Sequence, residues 1–211
     1  PRGKVGEWLI DPYNITIVDG TGLTNTAPDF TATASPATIG VDTIAAALNA
    51  GTNVVVSTGG ASGSDVGDIT FSFIGLFVTG SNPGSLTFIA DRNINGIENL
   101  LESSSGPLNL TLLAGRGGEG SIYLSTVAIR TQGGTISMGG YGTGTLAFGG
   151  TFTGAALSTN NPWAVELVDT TLEAGNGDIV LRGIGDTTSG GKGVYVRSSS
   201  ELSGRNITLQ G

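Results

Sequence analysis

The chain has 211 residues, 37 of them glycine, with no cysteine, no histidine and a net charge of −8. A hydrophobic share of 38% excludes disorder, and the acidic balance without a basic cluster disfavours nucleic acid and anionic membrane surfaces. The missing His and Cys remove Ser-His-Asp and Cys-His nucleophiles, disulfides, and most zinc and copper sites.

No apolar run reaches the roughly 18 residues that a membrane-spanning helix needs, so membrane insertion is not expected. The first residue is Pro1, without a visible signal peptide, so the chain reads as a mature or excised segment. Taken from the start, residues 8–10 and 15–17 are short apolar alternations flanking the turn signal Asp11-Pro12-Tyr13-Asn14. Residues 20–36 are rich in Thr, Asn, Ala, Pro and Ser and read as a loop or insertion. Residues 41–50 differ: Val41, Ile44, Ala45 and Leu48 fall at helical spacing, Asp42 is a candidate N-cap, and Gly51 is a stop signal. One short helix is expected there, followed by a strand at residues 53–57 and a flexible turn at 59–67.

From residue 67 one phrase recurs: Gly, any residue, Ile or Leu, any residue, then an apolar one. It begins at Gly67, Gly84, Gly120, Gly134, Gly144 and Gly177. Period-2 alternation sets Ile69 with Phe71, and Ile179 with Leu181, on one face of a strand. The glycine is expected to supply the positive φ of a tight corner.

The segment 157–211 repeats itself. Val165 recurs 29 positions on as Val194, Leu172 30 positions on as Leu202, and Ile179 28 positions on as Ile207. Three short strands per period, without two-residue Asn-Gly hairpin signals, select a stacked solenoid over four-stranded propeller blades. The expected fold is all-β: a parallel β-helix with three short strands per coil and one helix near residues 41–50. Residues 1–58 would cap or lead into the solenoid and 59–211 would form its coils, as one continuous domain. Seven or eight coils spaced about 4.8 Å apart would make a rod roughly 35–40 Å long. Uneven spacing between phrases implies either coils of variable length or some local hairpins.

Three stretches together resemble a known family. They are the run from Trp8 through Asp11, Pro12 and Tyr13 to Ile17, the run from Val41 through Leu48 and Val54 to Thr58, and the recurrent Gly-x-Ile phrase. They are similar to the filamentous haemagglutinin-like large exoproteins of Gram-negative bacteria and cyanobacteria. That resemblance implies a right-handed parallel β-helix within a long adhesin, a secreted or cell-surface location, and export through an outer-membrane secretion barrel. The family's Asn-Pro motifs are not in their usual setting here, since only Asn82-Pro83 and Asn161-Pro162 occur. An internal passenger segment is therefore implied.

Without His or Cys, carboxylate chemistry is what remains. Glu166, Asp169, Glu173 and Asp178, with Arg182 and Arg197, form the candidate group, and stacking of Val165 on Val194 would bring Glu166 near Arg197. The plainer reading is a solvated charge ladder along an acidic rod. Asp65 and Asp68 in a glycine turn, and Asp178 after Gly175-Asn176-Gly177, are candidate calcium ligands, although the nine-residue calcium repeat is absent. Asn14, Asn109 and Asn206 head glycosylation-type sequons. Trp163, in a long insertion outside the regular alternation, and Tyr141, in a glycine loop, are candidate ligand-binding aromatics. Trp8 and Phe30 read as covers for an end of the core.

The expected role is a structural or adhesive segment without enzymatic activity. Its partners would be a host or neighbouring-cell surface glycan or protein, or further copies stacked end to end. The alternatives are a carbohydrate-binding module and a polysaccharide-acting β-helix enzyme.

Overall fold

A computed structural model describes residues 7–10, 14–22, 37–58, 65–72, 74–116, 119–141, 156–157, 163–185 and 191–211. The chain begins with β1 (Glu7–Ile10), β2 (Ile15–Val18), β3 (Ala37–Gly40), α1 (Val41–Asn49) and β4 (Asn53–Ser57). Three strand triplets follow: β5 (Ile69–Ser72), β6 (Gly75–Val78) and β7 (Leu86–Ile89); β8 (Ile94–Ile97), β9 (Leu100–Ser103) and β10 (Leu110–Ala114); β11 (Ile122–Ser125), β12 (Ala128–Arg130) and β13 (Ile136–Gly140). The two-residue β14 (Ala156–Leu157) precedes two more: β15 (Trp163–Val168), β16 (Thr171–Glu173) and β17 (Ile179–Ile184), then β18 (Lys192–Arg197), β19 (Glu201–Ser203) and β20 (Ile207–Gln210).

Each triplet gives one strand to each of three sheets. The first sheet runs β3-β2-β5-β8-β11-β15-β18, the second β6-β9-β12-β16-β19, and the third β1-β4-β7-β10-β13-β17-β20, with β14 also beside β17. Every pairing among the described strands is parallel. This is a parallel β-solenoid, the architecture the repeat predicts, but with about four turns in place of the expected seven or eight coils. Among the described residues the first and third sheets each hold a path of seven strands and the second holds five. Of the two readings of the uneven spacing, local hairpins do not occur among the described strands. Uneven spacing comes instead from insertion: Ile122 pairs with Val165, Ile129 with Leu172 and Ile136 with Ile179, each 43 positions apart.

Like residues stack on like. Ile15, Ile69, Ile94, Ile122, Val165 and Val194 form one inward column. Leu76, Leu101, Ile129, Leu172 and Leu202 form a second, and Val54, Leu86, Leu110, Ile136, Ile179 and Ile207 a third. Burial of each Leu or Ile contributes about 1.5–3 kcal/mol, and no strand could bury its apolar face without its neighbours. The three pairs of the closing repeat, Val165–Val194, Leu172–Leu202 and Ile179–Ile207, stack as their spacing predicts.

The glycines of the recurrent phrase act differently from expectation. Gly67 has φ +78°, but Gly84, Gly120, Gly134 and Gly177 do not lie in the left-handed region. A Cβ on these four would collide with the carbonyl oxygens of Thr52, Arg92, Leu108 and Gly134, one coil earlier. Glycine is required there by close stacking of backbones. The corners from the first sheet to the second are turned by other residues: Glu98, Thr126, Asp169 and Ser198 have φ of 55°, 56°, 47° and 58°. Such corners place Asn99, Val127 and Thr170 inward and buried.

Helix α1 packs beneath β6, where the second sheet has no earlier strand. It buries Val41, Ile44 and Leu48, and the Asn49 Oδ1 accepts hydrogen bonds from the Thr79 and Gly80 amides at 2.9 and 2.8 Å. The N-cap is Gly40 rather than the expected Asp42, which lies in the first turn. Gly51, with φ +78°, ends the helix as predicted. At the other end, Ile207 and Leu209 are 46% and 52% exposed, whereas their partners Ile179 and Leu181 are fully buried.

One packing fault lies inside the rod. The column Phe71–Gly96–Leu124 lacks a side chain at Gly96, beside a cavity of about 30 Å³ that these residues help line.

Candidate functional site

Outside the rod, the first sheet carries the column Thr16, Thr70, Asn95, Tyr123, Glu166 and Tyr195. Alternation turns these residues outward because Ile15, Ile69, Val165 and Val194 occupy the inward positions. Glu166 is expected to lie on a solvated face, and the structure corrects this: it is only 2% exposed. Neighbouring outward residues are about 4.8 Å apart across the ladder, so Tyr123 and Tyr195 flank it on either side. Its Oε1 accepts a hydrogen bond from Arg197 Nε at 2.8 Å, the juxtaposition the repeat predicts. The Glu166 bond, the Glu166 charge and the two nearby tyrosines hold the Arg197 guanidinium more firmly protonated than usual.

Trp163 is not outside the alternation, as its sequence setting suggests, but is the first residue of β15, paired with Lys192. Its ring lies 5.3 Å from that of Tyr195, tilted by 43°. Lys192 Nζ stands 4.7 Å over the centre of the Tyr195 ring. The face therefore combines a partly exposed aromatic pair, a cation against it, and a buried carboxylate held by arginine one strand position away. Tyr141, the other candidate aromatic, is elsewhere: it packs on the outer cluster Val55, Ile89 and Leu113.

The other candidate carboxylates are dispersed. Asp68 meets Arg92 through two bonds, of 2.9 and 2.5 Å, and accepts the Asn93 amide at 3.0 Å. Asp178 meets Arg205 at 3.0 and 2.9 Å and accepts Asn206 Nδ2 at 2.9 Å, which holds its carboxyl below the usual range. Glu173 and Glu102 lie on either side of Arg130, at 3.0 and 3.8 Å. Asp169 accepts the Ser199 amide at 3.1 Å from its corner. Asp65 is partly buried in the approach to β5. Asp68 precedes a strand of the first sheet and Asp178 a strand of the third, so they share no site. Among the described residues no three potential metal ligands converge, and the two arginine-bound carboxylates do not fit a calcium ion.

The sequon asparagines belong to ladders that join coils. Asn14 Oδ1 accepts the Asp68 amide at 2.7 Å, and Asn93 Oδ1 accepts the Ser121 amide at 2.9 Å. Asn53 and Asn109 do the same for Ser85 and Thr135 at 2.9 and 3.0 Å. Asn206 uses its amide nitrogen, where a glycan would be attached, to bond Asp178. Gly144 and Phe30 lie outside the described residues, as does the Trp8 side chain.

Sequence reasoning missed Tyr123, Tyr195 and Lys192. The signal was available: the 29-residue offset that pairs Glu166 with Tyr195 also pairs Trp163 with Lys192. No protein-family model matches the chain, and no curated protein matches it in sequence.

Proposed function

We propose that the chain is a structural, adhesive segment: a solenoid rod that presents its outer faces as contact surface and has no enzymatic activity. The observation that supports this best is the separation of labour between its faces. Stacked aliphatic columns fill the interior, while the outward carboxylates Asp68, Asp91, Glu102, Glu166, Glu173 and Asp178 are each held by an arginine, Glu102 and Glu173 by the same one. A polysaccharide hydrolase would instead need two carboxyls about 5–10 Å apart in one groove, unneutralised and beside the bound sugar. The resemblance to filamentous haemagglutinin-like exoproteins suits the same role and suggests display outside the cell after export through a secretion barrel.

Beads coated with the protein and washed over cell layers test this reading. Severalfold more retention than on albumin-coated beads is expected. Albumin-level retention, with loss of viscosity in a polysaccharide solution incubated with the protein, would contradict it.

A further inference from the structure

We propose that Trp163, Tyr195 and Lys192 form a binding site for an acidic polysaccharide, one built with uronate units; this rests on the reading of the chain as a contact-presenting rod. The argument begins with charge. Arg92, Arg116, Arg130, Arg197 and Arg205 each face a carboxylate. Lys192 does not: among the described residues its ammonium makes no ion pair and stands over the Tyr195 ring instead. Among the described residues this sets Lys192 apart from those five arginines.

It lies beside the other ingredient a sugar needs. The Trp163 and Tyr195 rings meet at 5.3 Å and remain partly exposed. Aromatic faces carry negative charge density, which the C–H groups of a sugar ring and a nearby ammonium both complement. Glu166 is the register partner of Tyr195 on the neighbouring strand. Glu166 is buried next to it and bonded to Arg197, whose side chain is still 37% exposed. Arg197 spends its Nε–H on Glu166, and its other guanidinium donors can reach sugar hydroxyl or carboxylate oxygens. Ring stacking, an ammonium with no ion pair among the described residues and a guanidinium held by Glu166 together select a sugar that carries a carboxylate over a neutral one.

The test measures binding of alginate and polygalacturonate oligosaccharides, with dextran and laminarin oligosaccharides as neutral controls. Uronate oligomers are expected to bind at least about tenfold more tightly than the neutral ones and to weaken as salt is raised. Trp163→Ala should weaken uronate binding by about tenfold or more, and Lys192→Met, which keeps the length but not the charge, by a smaller factor with a flatter salt response. If Trp163→Ala does not fold, Lys192→Met decides. Equal binding of neutral and acidic oligomers, no binding of either, or unchanged binding in Lys192→Met overturns the proposal. Cell retention of coated beads that persists while uronate binding fails overturns this site alone and leaves the rod reading standing.

Discussion

Glu166 and Arg197, 31 positions apart, are joined across β15 and β18 by a 2.8 Å hydrogen bond, with 3% of the Glu166 side chain and 37% of Arg197 open to solvent. Removing the arginine leaves a buried carboxylate without this donor. Arg197→Ala is therefore expected to lower stability, and Arg197→Lys to lower it less. Urea unfolding checks this; no change in either variant would show that water already solvates the carboxylate.

The phrase glycines give a contrast between two substitutions of the same kind. At Gly134 a Cβ meets the backbone of Leu108, which cannot move without breaking the ladder. Gly134→Ala should cost about 1–3 kcal/mol or more. At Gly96 the nearest atom is Leu124 Cδ2 at 3.0 Å, a side-chain end beside the core cavity of about 30 Å³. Leu124 has room to give, so Gly96→Ala should stabilise by about 0.4–1 kcal/mol. Paired thermal melts read both signs.

Leu181 and Leu209 are register partners with opposite burial, fully buried against 52% exposed. Leu181→Ala should cost about 2–5 kcal/mol, and Leu209→Ala clearly less because half its surface is already in water. Equal costs in denaturant unfolding would mean that the last coil is covered in solution.

The Asp178 carboxyl is held below its usual pKa, chiefly by hydrogen bonds from Arg205 and then Asn206. A carboxyl with a depressed folded pKa contributes stability above its unfolded value, near 3.9, and loses it as pH falls through the folded value. The parent should thus exceed Asp178→Asn in stability at neutral pH, and the gap should close as pH drops below about 4. A gap that stays constant through the acid limb would remove the pair as its source.

Columns of Ile, Leu and Val at offsets of 28 to 30 residues are legible in the sequence because a parallel coil repeats its own neighbours, so register becomes spacing. Helix α1 is legible through the helical spacing of Val41, Ile44 and Leu48. Roles that depend on what another coil brings close are harder to read. The stacking role of Gly134 needs the Leu108 carbonyl, and the burial of Glu166 needs a tyrosine on each side. Positive φ at Thr126 leaves no local signal, since a β-branched residue is a poor choice for that region and is held there by the coils above and below. Of the candidate site, the Glu166–Arg197 pair is found by spacing and Trp163 by its residue type; Lys192 becomes informative only beside the arginines whose ion pairs the structure shows.

The stacking itself is open to a direct chemical test, because the chain has no cysteine of its own. Thr111, Ser137 and Val180 face outward at one register position on three successive coils. Neighbouring coils place the first two about 4.8 Å apart, within disulfide reach, while Thr111 and Val180 are about 9.6 Å apart and beyond it. The doubly substituted Thr111→Cys, Ser137→Cys protein should oxidise to an intramolecular disulfide, and Thr111→Cys, Val180→Cys should not. Failure of the first pair, or equal bridging by the second, would contradict the stacked solenoid.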